Sequence, residues 1–229
     1  MWGREVYRIG YKDFLLIGSV KYVPLITDFI VFIICFFAFP GSREAWLFIE
    51  ILVPFGSIWI GTFHLTETTR KHSLYELIFS CNRRLPVILT VRYITLSFLS
   101  SIVGVFVSVF ICIPVDMRAA GYYSVLIFFE VAAFTGIAFL LATILKSPGW
   151  TITIVMSIII SDYGTQGKIF GALHFSLYWY EELSVELILP RIITASYIAV
   201  ASYVVGYTVL KKAAFKKYIT VPLSLSRTR

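Results

Sequence analysis

The fold is decided by the apolar run Tyr122–Leu145, which reads YYSVLIFFEVAAFTGIAFLLATIL and contains one charged side chain, Glu130. A helix needs about 20 apolar residues to cross the hydrocarbon core of a bilayer, so this run is long enough to span it. Comparable runs precede and follow it. The sequence predicts an all-α integral membrane protein with six transmembrane helices, at residues 23–40, 46–65, 87–114, 122–145, 149–164 and 190–210.

The composition agrees with this prediction. Of the 229 residues, 59% are apolar and 14% are charged, whereas a soluble domain has about 45–50% and about 25%. A globular core cannot hide such an excess of apolar side chains, because its surface still needs polar cover. The composition therefore excludes an ordinary soluble domain and supplies roughly six spans of about 20 residues each.

The net charge of +7 comes from basic residues that lie between the apolar runs. They gather before span one, between spans two and three and after span six, and the connection after span four has Lys146. The other connections have one cation each, Arg43, Arg118 and Lys168. Since cytoplasmic loops carry the excess of Lys and Arg, we expect a multi-pass protein of the plasma membrane with both termini in the cytoplasm.

The six spans form one predicted transmembrane domain, residues 23–213, between two basic segments. In residues 1–22, Arg4, Arg8 and Lys12 share one helical face, with Trp2 and Val6 roughly opposite. This pattern predicts an amphipathic helix in the inner interface, and the alternative is a disordered basic leader. Residues 214–229 are predicted to form a basic cytoplasmic tail.

The connection between spans two and three contains a second amphipathic pattern. Leu74, Leu77, Ile78 and Cys81 recur at i, i+3, i+4 and i+7, which predicts a short helix. Such a helix in a cytoplasmic loop could be pushed by a partner protein. The alternative is an interfacial helix that only joins two spans.

This region resembles the type-2 ABC exporter permeases, in which a Glu after span two precedes a short helix and an Arg/Pro turn. The matching pieces are Glu67, Ser73-Leu74-Tyr75-Glu76-Leu77-Ile78 and Arg83-Arg84-Leu85-Pro86. The order of the six spans and the basic segments at both ends are also similar to that family. His72-Ser73 stands where the family usually has Gly-Thr.

The resemblance implies a permease subunit that exports an amphipathic substrate, such as a peptide, an antimicrobial or a lipid-like molecule. It implies that a separate cytosolic ATPase subunit binds ATP and Mg, that this chain binds no cofactor, and that a second permease subunit, identical or different, completes the membrane part. It also implies that the short helix is a coupling helix and residues 1–22 a connecting helix. The implied coupling residues are Glu67, Leu74, Glu76, Leu77, Ile78, Cys81 and Arg83.

The segment Ile169–Tyr180 is apolar and aromatic but too short to cross the bilayer as a helix. We expect short outer helices here, re-entrant or interfacial, between spans five and six. His174 and the triplet Tyr178-Trp179-Tyr180 would then form an outer gate, or the aromatic residues would simply anchor the chain at the headgroups.

Three acidic residues fall inside apolar runs: Asp28, Glu50 and Glu130. A charge at the bilayer centre costs about 2.5–3.5 kcal/mol, so each should face protein or water. Asp28 and Glu50 lie near span ends, where Arg92 could pair with Asp28 and Glu50 could reach the interface. We expect Glu130, Asp28 and Glu50 to line a pathway or a subunit contact. Glu130 lies deepest and is the best candidate, and the alternative for it is a protonated or hydrogen-bonded structural acid.

Motifs of other functions are missing from the sequence. It has no P-loop, no H-E-x-x-H zinc motif and no G-x-S-x-G nucleophile elbow, so we expect neither a metal site nor catalytic residues. An intramembrane hydrolase therefore has little support. The alternative to a transport subunit is a six-helix membrane scaffold or peptide-immunity protein that needs no ATPase.

Overall fold

The computed structural model describes residues 22–37, 43–70, 85–112, 117–169 and 184–219. These ranges contain helices and turns but no strand, which confirms the prediction of an all-α protein. The helices, in chain order, are α1 (Tyr22–Phe37), α2 (Arg43–Arg70), α3 (Leu85–Cys112), α4 (Met117–Leu145), α5 (Pro148–Gly164) and α6 (Val185–Ile219).

Four of these helices are long and apolar enough to cross a membrane, which makes the chain a multi-pass membrane protein. Their apolar windows are Leu47–Thr66, Pro86–Phe106, Gly121–Leu145 and Val185–Lys212. Large apolar side chains are exposed on the outside of the bundle, among them Val91 and Phe98 of α3, as contact with lipid requires. The described parts of α1 and α5 have 16 and 17 residues, so six crossings remain a prediction.

Three apolar clusters follow one another along the bundle and show the directions of the helices. The first contains Ile49, Tyr123 and Ile188, the second Ile58, Phe134 and Ala195, and the third Leu65, Phe139 and Leu210. Because residue numbers rise together in α2, α4 and α6, these three helices run in the same direction. In α3 the order is reversed, since Gly104 faces Val53 and Tyr93 faces Gly61. The alternation is the one that successive crossings produce.

Glycines allow α4 and α6 to pack closely. A Cβ atom at Gly136 would lie 3.1 Å from the carbonyl oxygen of Ala199, and one at Gly206 would lie 2.7 Å from the Phe139 ring. The backbones therefore approach each other as small residues permit.

The ends of α5 and α6 follow from local chemistry. Lys146 adopts a left-handed conformation (φ 54°) and its N–H bonds to the Ala142 carbonyl at 3.0 Å, which closes α4 before Pro148 begins α5. The hydroxyl oxygen of Ser184 accepts a hydrogen bond from the Leu187 N–H at 3.3 Å and caps α6.

Two predicted boundaries of the last helix differ from the observed ones. Because Ser184 caps the helix, α6 begins at Val185, and Pro190, the first residue of the predicted span six, lies inside the helix. The helix also continues to Ile219, past residue 213, where the sequence places the start of the tail.

Candidate functional site

Glu130 lies inside the bundle, between the first and second apolar clusters. Its neighbours along α4 belong to these clusters, Val131 to the first and Ala133 to the second. The residue is only 3% exposed, and among the described residues none makes a hydrogen bond to Glu130 Oε2. The expectation that Glu130 faces protein is therefore confirmed, whereas a role in a pathway stays a prediction.

Glu50 of α2 joins Glu130 in the interior. Glu50 is 3% exposed, and its Oε1 atom accepts a hydrogen bond of 2.6 Å from the hydroxyl group of Tyr123 on α4. The expectation that Glu50 reaches the membrane interface is therefore wrong. The cause is the Tyr123 hydroxyl, which offers the carboxylate a donor inside the protein.

Asp162 and Arg191 were not among the predicted site residues, yet both are buried at the same level as Glu130. Asp162 on α5 is 5% exposed and Arg191 on α6 is 8% exposed. Glu130 interacts electrostatically with Glu50, Asp162 and Arg191. Four helices, α2, α4, α5 and α6, thus contribute ionisable side chains to one buried group.

The position of Asp162 follows from helix lengths. Glu130 lies fifteen residues before the end of α4, about 22 Å at 1.5 Å per residue. After the turn at Lys146 and Ser147, α5 runs back beside α4, and Asp162 is fourteen residues beyond its first residue, about 21 Å. Asp162 therefore reaches the level of Glu130, near the end of the predicted span five.

A small cleft lies beside this group. The cleft is lined by Glu50, Ile51, Glu130, Phe134, Ile159, Asp162 and Tyr163, and it has room for about one water-sized group. We call Glu50, Glu130 and Asp162 the carboxylate cluster, and the space beside them the carboxylate cleft. Three carboxyl groups and two aromatic rings on one cleft are suited to holding a cationic group.

A second polar region lies near the third apolar cluster. The hydroxyl groups of Tyr203 and Thr135 are 3.1 Å apart, and the rings of Tyr93 and Phe139 pack at a centroid distance of 5.0 Å. The hydroxyl group of Thr62 lies beside that of Tyr93, and the hydroxyl group of Ser97 lies beside that of Tyr203. The interior between α2, α3, α4 and α6 therefore contains a second set of polar side chains.

The other predicted site residues have side chains outside the part of the chain that the structure describes. Asp28 and Glu67 lie on α1 and α2, but their side chains are outside the described part of the chain, so pairing of Asp28 with Arg92 stays a prediction. The predicted coupling and gate residues also lie outside the described residues, so their roles stay predictions. They are Leu74, Glu76, Leu77, Ile78, Cys81 and Arg83 for coupling, and His174, Tyr178, Trp179 and Tyr180 for the gate.

Within the described ranges, no group of three or more His, Cys, Asp or Glu side chains is arranged to hold a metal ion. Comparison of the chain with known protein families, curated proteins and solved structures gives no match. The class of protein therefore rests on the fold and the site, which define a multi-pass helical membrane protein with ionisable side chains buried inside its bundle.

Proposed function

We propose that this chain is the membrane-spanning permease subunit of an ATP-driven ABC exporter. It would move an amphipathic substrate (a peptide, an antimicrobial or a lipid-like molecule) outward, and a separate cytosolic subunit would hydrolyse ATP with its own Mg. The observation that carries the proposal is the carboxylate cluster, with Arg191, inside an apolar bundle. Ionisable residues within membrane spans typically mark a substrate or ion pathway.

The energetics favour a functional reason for this cluster. A buried ionic group often contributes less to stability than well-packed apolar residues of similar volume, because desolvation offsets the attraction. Four helices nevertheless supply charged side chains to one level of the bundle. A shift of α5 or α6 against α2 and α4 would change which of these side chains reaches the cleft. Alternating access needs a site of this kind.

The distribution of basic residues supports the orientation that the proposal requires. α2 ends and α3 begins near the third apolar cluster, where Leu65 packs with Leu89. Lys146 comes one helical turn after Ala142, and Lys211 and Lys212 come just after Leu210. Ala142 and Leu210 belong to the same cluster, and the three lysine side chains are exposed. A basic end of the bundle is expected to face the cytoplasm, where an ATPase subunit would meet the 71–84 connection. Both chain termini would then be cytoplasmic, in the plasma membrane.

A variant pair in the proposed coupling helix tests the partnership. The chain is co-expressed with any Walker-type ATPase that the adjacent genes encode and is purified by a tag on the permease. We expect the ATPase to co-purify and Leu77→Asp to remove it, because the substitution places a charge on the apolar face of the helix. Ser80→Asp, on the more polar side, is the matched control and should retain the complex.

If Leu77→Asp leaves the complex unchanged, the position of the coupling helix is wrong. If no ATPase associates with the wild-type chain, the transport proposal fails and a scaffold or peptide-immunity function replaces it. The proposal also requires a second permease subunit, so cross-linking of the purified complex should reveal two membrane chains.

A further inference from the structure

We infer that the carboxylate cleft binds a cationic head group, a primary ammonium, carried by the exported molecule. The assignment of this group to cargo rests on the proposed export function. The binding chemistry rests on the cleft alone and can be tested on the purified chain.

Glu130 provides the open acceptor. Its Oε2 atom is buried, lines the cleft and receives no hydrogen bond from the described residues. In contrast, the neighbouring Glu50 already accepts the Tyr123 hydroxyl at 2.6 Å. An unsatisfied carboxylate oxygen in the interior is costly, and a donor that enters the cleft would remove this cost.

The formal charges also favour a cation. Three carboxyl groups line the cleft, and among the described residues that act on Glu130 electrostatically there is one cation, Arg191. When all four groups are ionised, the site has an excess of negative charge in a region of low dielectric. An ammonium group in the cleft would offset part of this excess and make charge-assisted hydrogen bonds.

The remaining lining residues suit an organic cation. Phe134 and Tyr163 place aromatic rings on the cleft, and Ile51 and Ile159 add apolar surface. Aromatic faces attract ammonium and guanidinium groups, while the isoleucines would contact the alkyl carbons beside the charge. A carboxylate, a ring and an aliphatic wall together resemble the surroundings that an alkylammonium head group requires.

The size of the cleft restricts what enters it. The space left between these side chains admits about one group of the size of a water molecule. The nitrogen of a primary ammonium with its hydrogens is of that size, whereas a guanidinium group, a whole peptide or a lipid is not. The rest of the bound molecule would lie along the bundle or in the lipid.

Photolabelling of the purified chain tests the inference. The chain is placed in phosphatidylglycerol nanodiscs, which contain no amine-bearing lipid, and labelled with an octylammonium probe carrying a diazirine. The matched neutral probe is the alcohol with the same chain and diazirine. Mass spectrometry of the peptides that contain Ile51, Phe134 and Ile159 measures labelling of the cleft. We expect the ammonium probe to label them about tenfold more strongly, the ratio that one charge-assisted hydrogen bond provides.

Glu130→Gln should lower the labelling by the ammonium probe to that of the alcohol. Glu186→Gln removes an exposed acid on α6 and should leave it unchanged. The wild-type comparison of the two probes needs no variant, so it decides the question even if Glu130→Gln does not fold. Equal labelling by the two probes, or labelling outside the cleft, would overturn the inference.

Competition identifies the source of the cation. Unlabelled octylammonium should suppress labelling, whereas suppression by added phosphatidylethanolamine would assign the site to a lipid amine. The result is independent of the ATPase test. If the probe labels the cleft but no ATPase associates with the chain, the ammonium site is supported and the export function is rejected. If an ATPase associates but the cleft is not labelled, the export function is supported and the ammonium site is rejected.

Discussion

The hydroxyl group of Tyr123 on α4 donates a hydrogen bond of 2.6 Å to Glu50 Oε1 on α2, and Tyr123 is fully buried while Glu50 is 3% exposed. This bond joins two helices that run in the same direction and holds one carboxyl group of the cluster in place. Glu130, on the same helix as Tyr123, has no such donor for its Oε2 atom among the described residues. The two carboxyl groups therefore differ in their capacity to accept a ligand.

Removal of the Tyr123 hydroxyl should destabilise the bundle. We expect Tyr123→Phe to lower the free energy of unfolding by about 1.5–3 kcal/mol, since it leaves a buried carboxylate without its donor. Thermal unfolding in nanodiscs measures the effect. Tyr122→Phe, at a partly buried position next to it on α4, is the control and should change the midpoint little. Equal effects of the two variants would show that the hydrogen bond contributes nothing.

Arg191 offsets the negative charge of the carboxylate cluster. Arg191→Met should cost about 3–5 kcal/mol, because it leaves buried carboxyl groups without a compensating cation. Lys212→Met removes an exposed cation on the same helix and should stay within about 0.5 kcal/mol of wild type.

A second variant separates the charge of Arg191 from its packing. In the double variant Arg191→Met/Asp162→Asn, part of the lost stability should return, because one negative charge is removed as well. If the double variant is less stable than Arg191→Met alone, Arg191 stabilises the bundle by packing and not by its charge.

The close contact of α4 and α6 depends on Gly206. A Cβ atom there would lie 2.7 Å from the Phe139 ring and 3.3 Å from Leu140 Cα, so Gly206→Ala should cost about 1–3 kcal/mol through overpacking. At Gly121 a Cβ would meet no atom of the described residues within 4 Å. Gly121→Ala should therefore be neutral or stabilising, by up to about 1 kcal/mol. The reverse order of the two unfolding midpoints would contradict the packing of these helices.

Cysteine labelling tests the proposed orientation. In a background with Cys35, Cys81 and Cys112 replaced by Ser, single cysteines are placed at the exposed positions Lys146, Lys168, Ser184 and Lys212. A membrane-impermeant maleimide should label positions 168 and 184 in intact cells, and positions 146 and 212 only after permeabilisation. Labelling of position 146 in intact cells would show that the basic end of the bundle faces outward.

Much of the fold follows from sequence patterns that act locally. The runs of apolar residues predict the helices, and the predicted bounds agree with the observed ones to within five residues, except that α6 ends nine residues later than predicted. The burial of Glu130 is also predictable, because no interface is within its reach. The start of α6 is harder to predict, because Ser184 caps the helix six residues before Pro190, and a proline ordinarily lies in the first turn of a helix.

The composition of the site depends on tertiary contacts and is harder to predict. Glu50 lies close to the end of its span, and only the position of Tyr123 on another helix keeps it inside. The position of Asp162 could be predicted from the sequence. Equal numbers of residues, counted from the turn at Lys146 back along α4 and forward along α5, place Asp162 level with Glu130. Arg191 has no comparable local signal, since its role depends on how α6 packs beside α4.

The central claim, that this chain is the membrane subunit of an ATP-driven exporter, is tested most directly by purifying the tagged chain from its native membrane. Mass spectrometry would identify the associated proteins, and an ATPase assay would be carried out on the eluate. The account predicts a Walker-type ATPase in stoichiometric amount and ATP hydrolysis that disappears with the Leu77→Asp variant. A stable, folded chain that elutes without any such ATPase would contradict it.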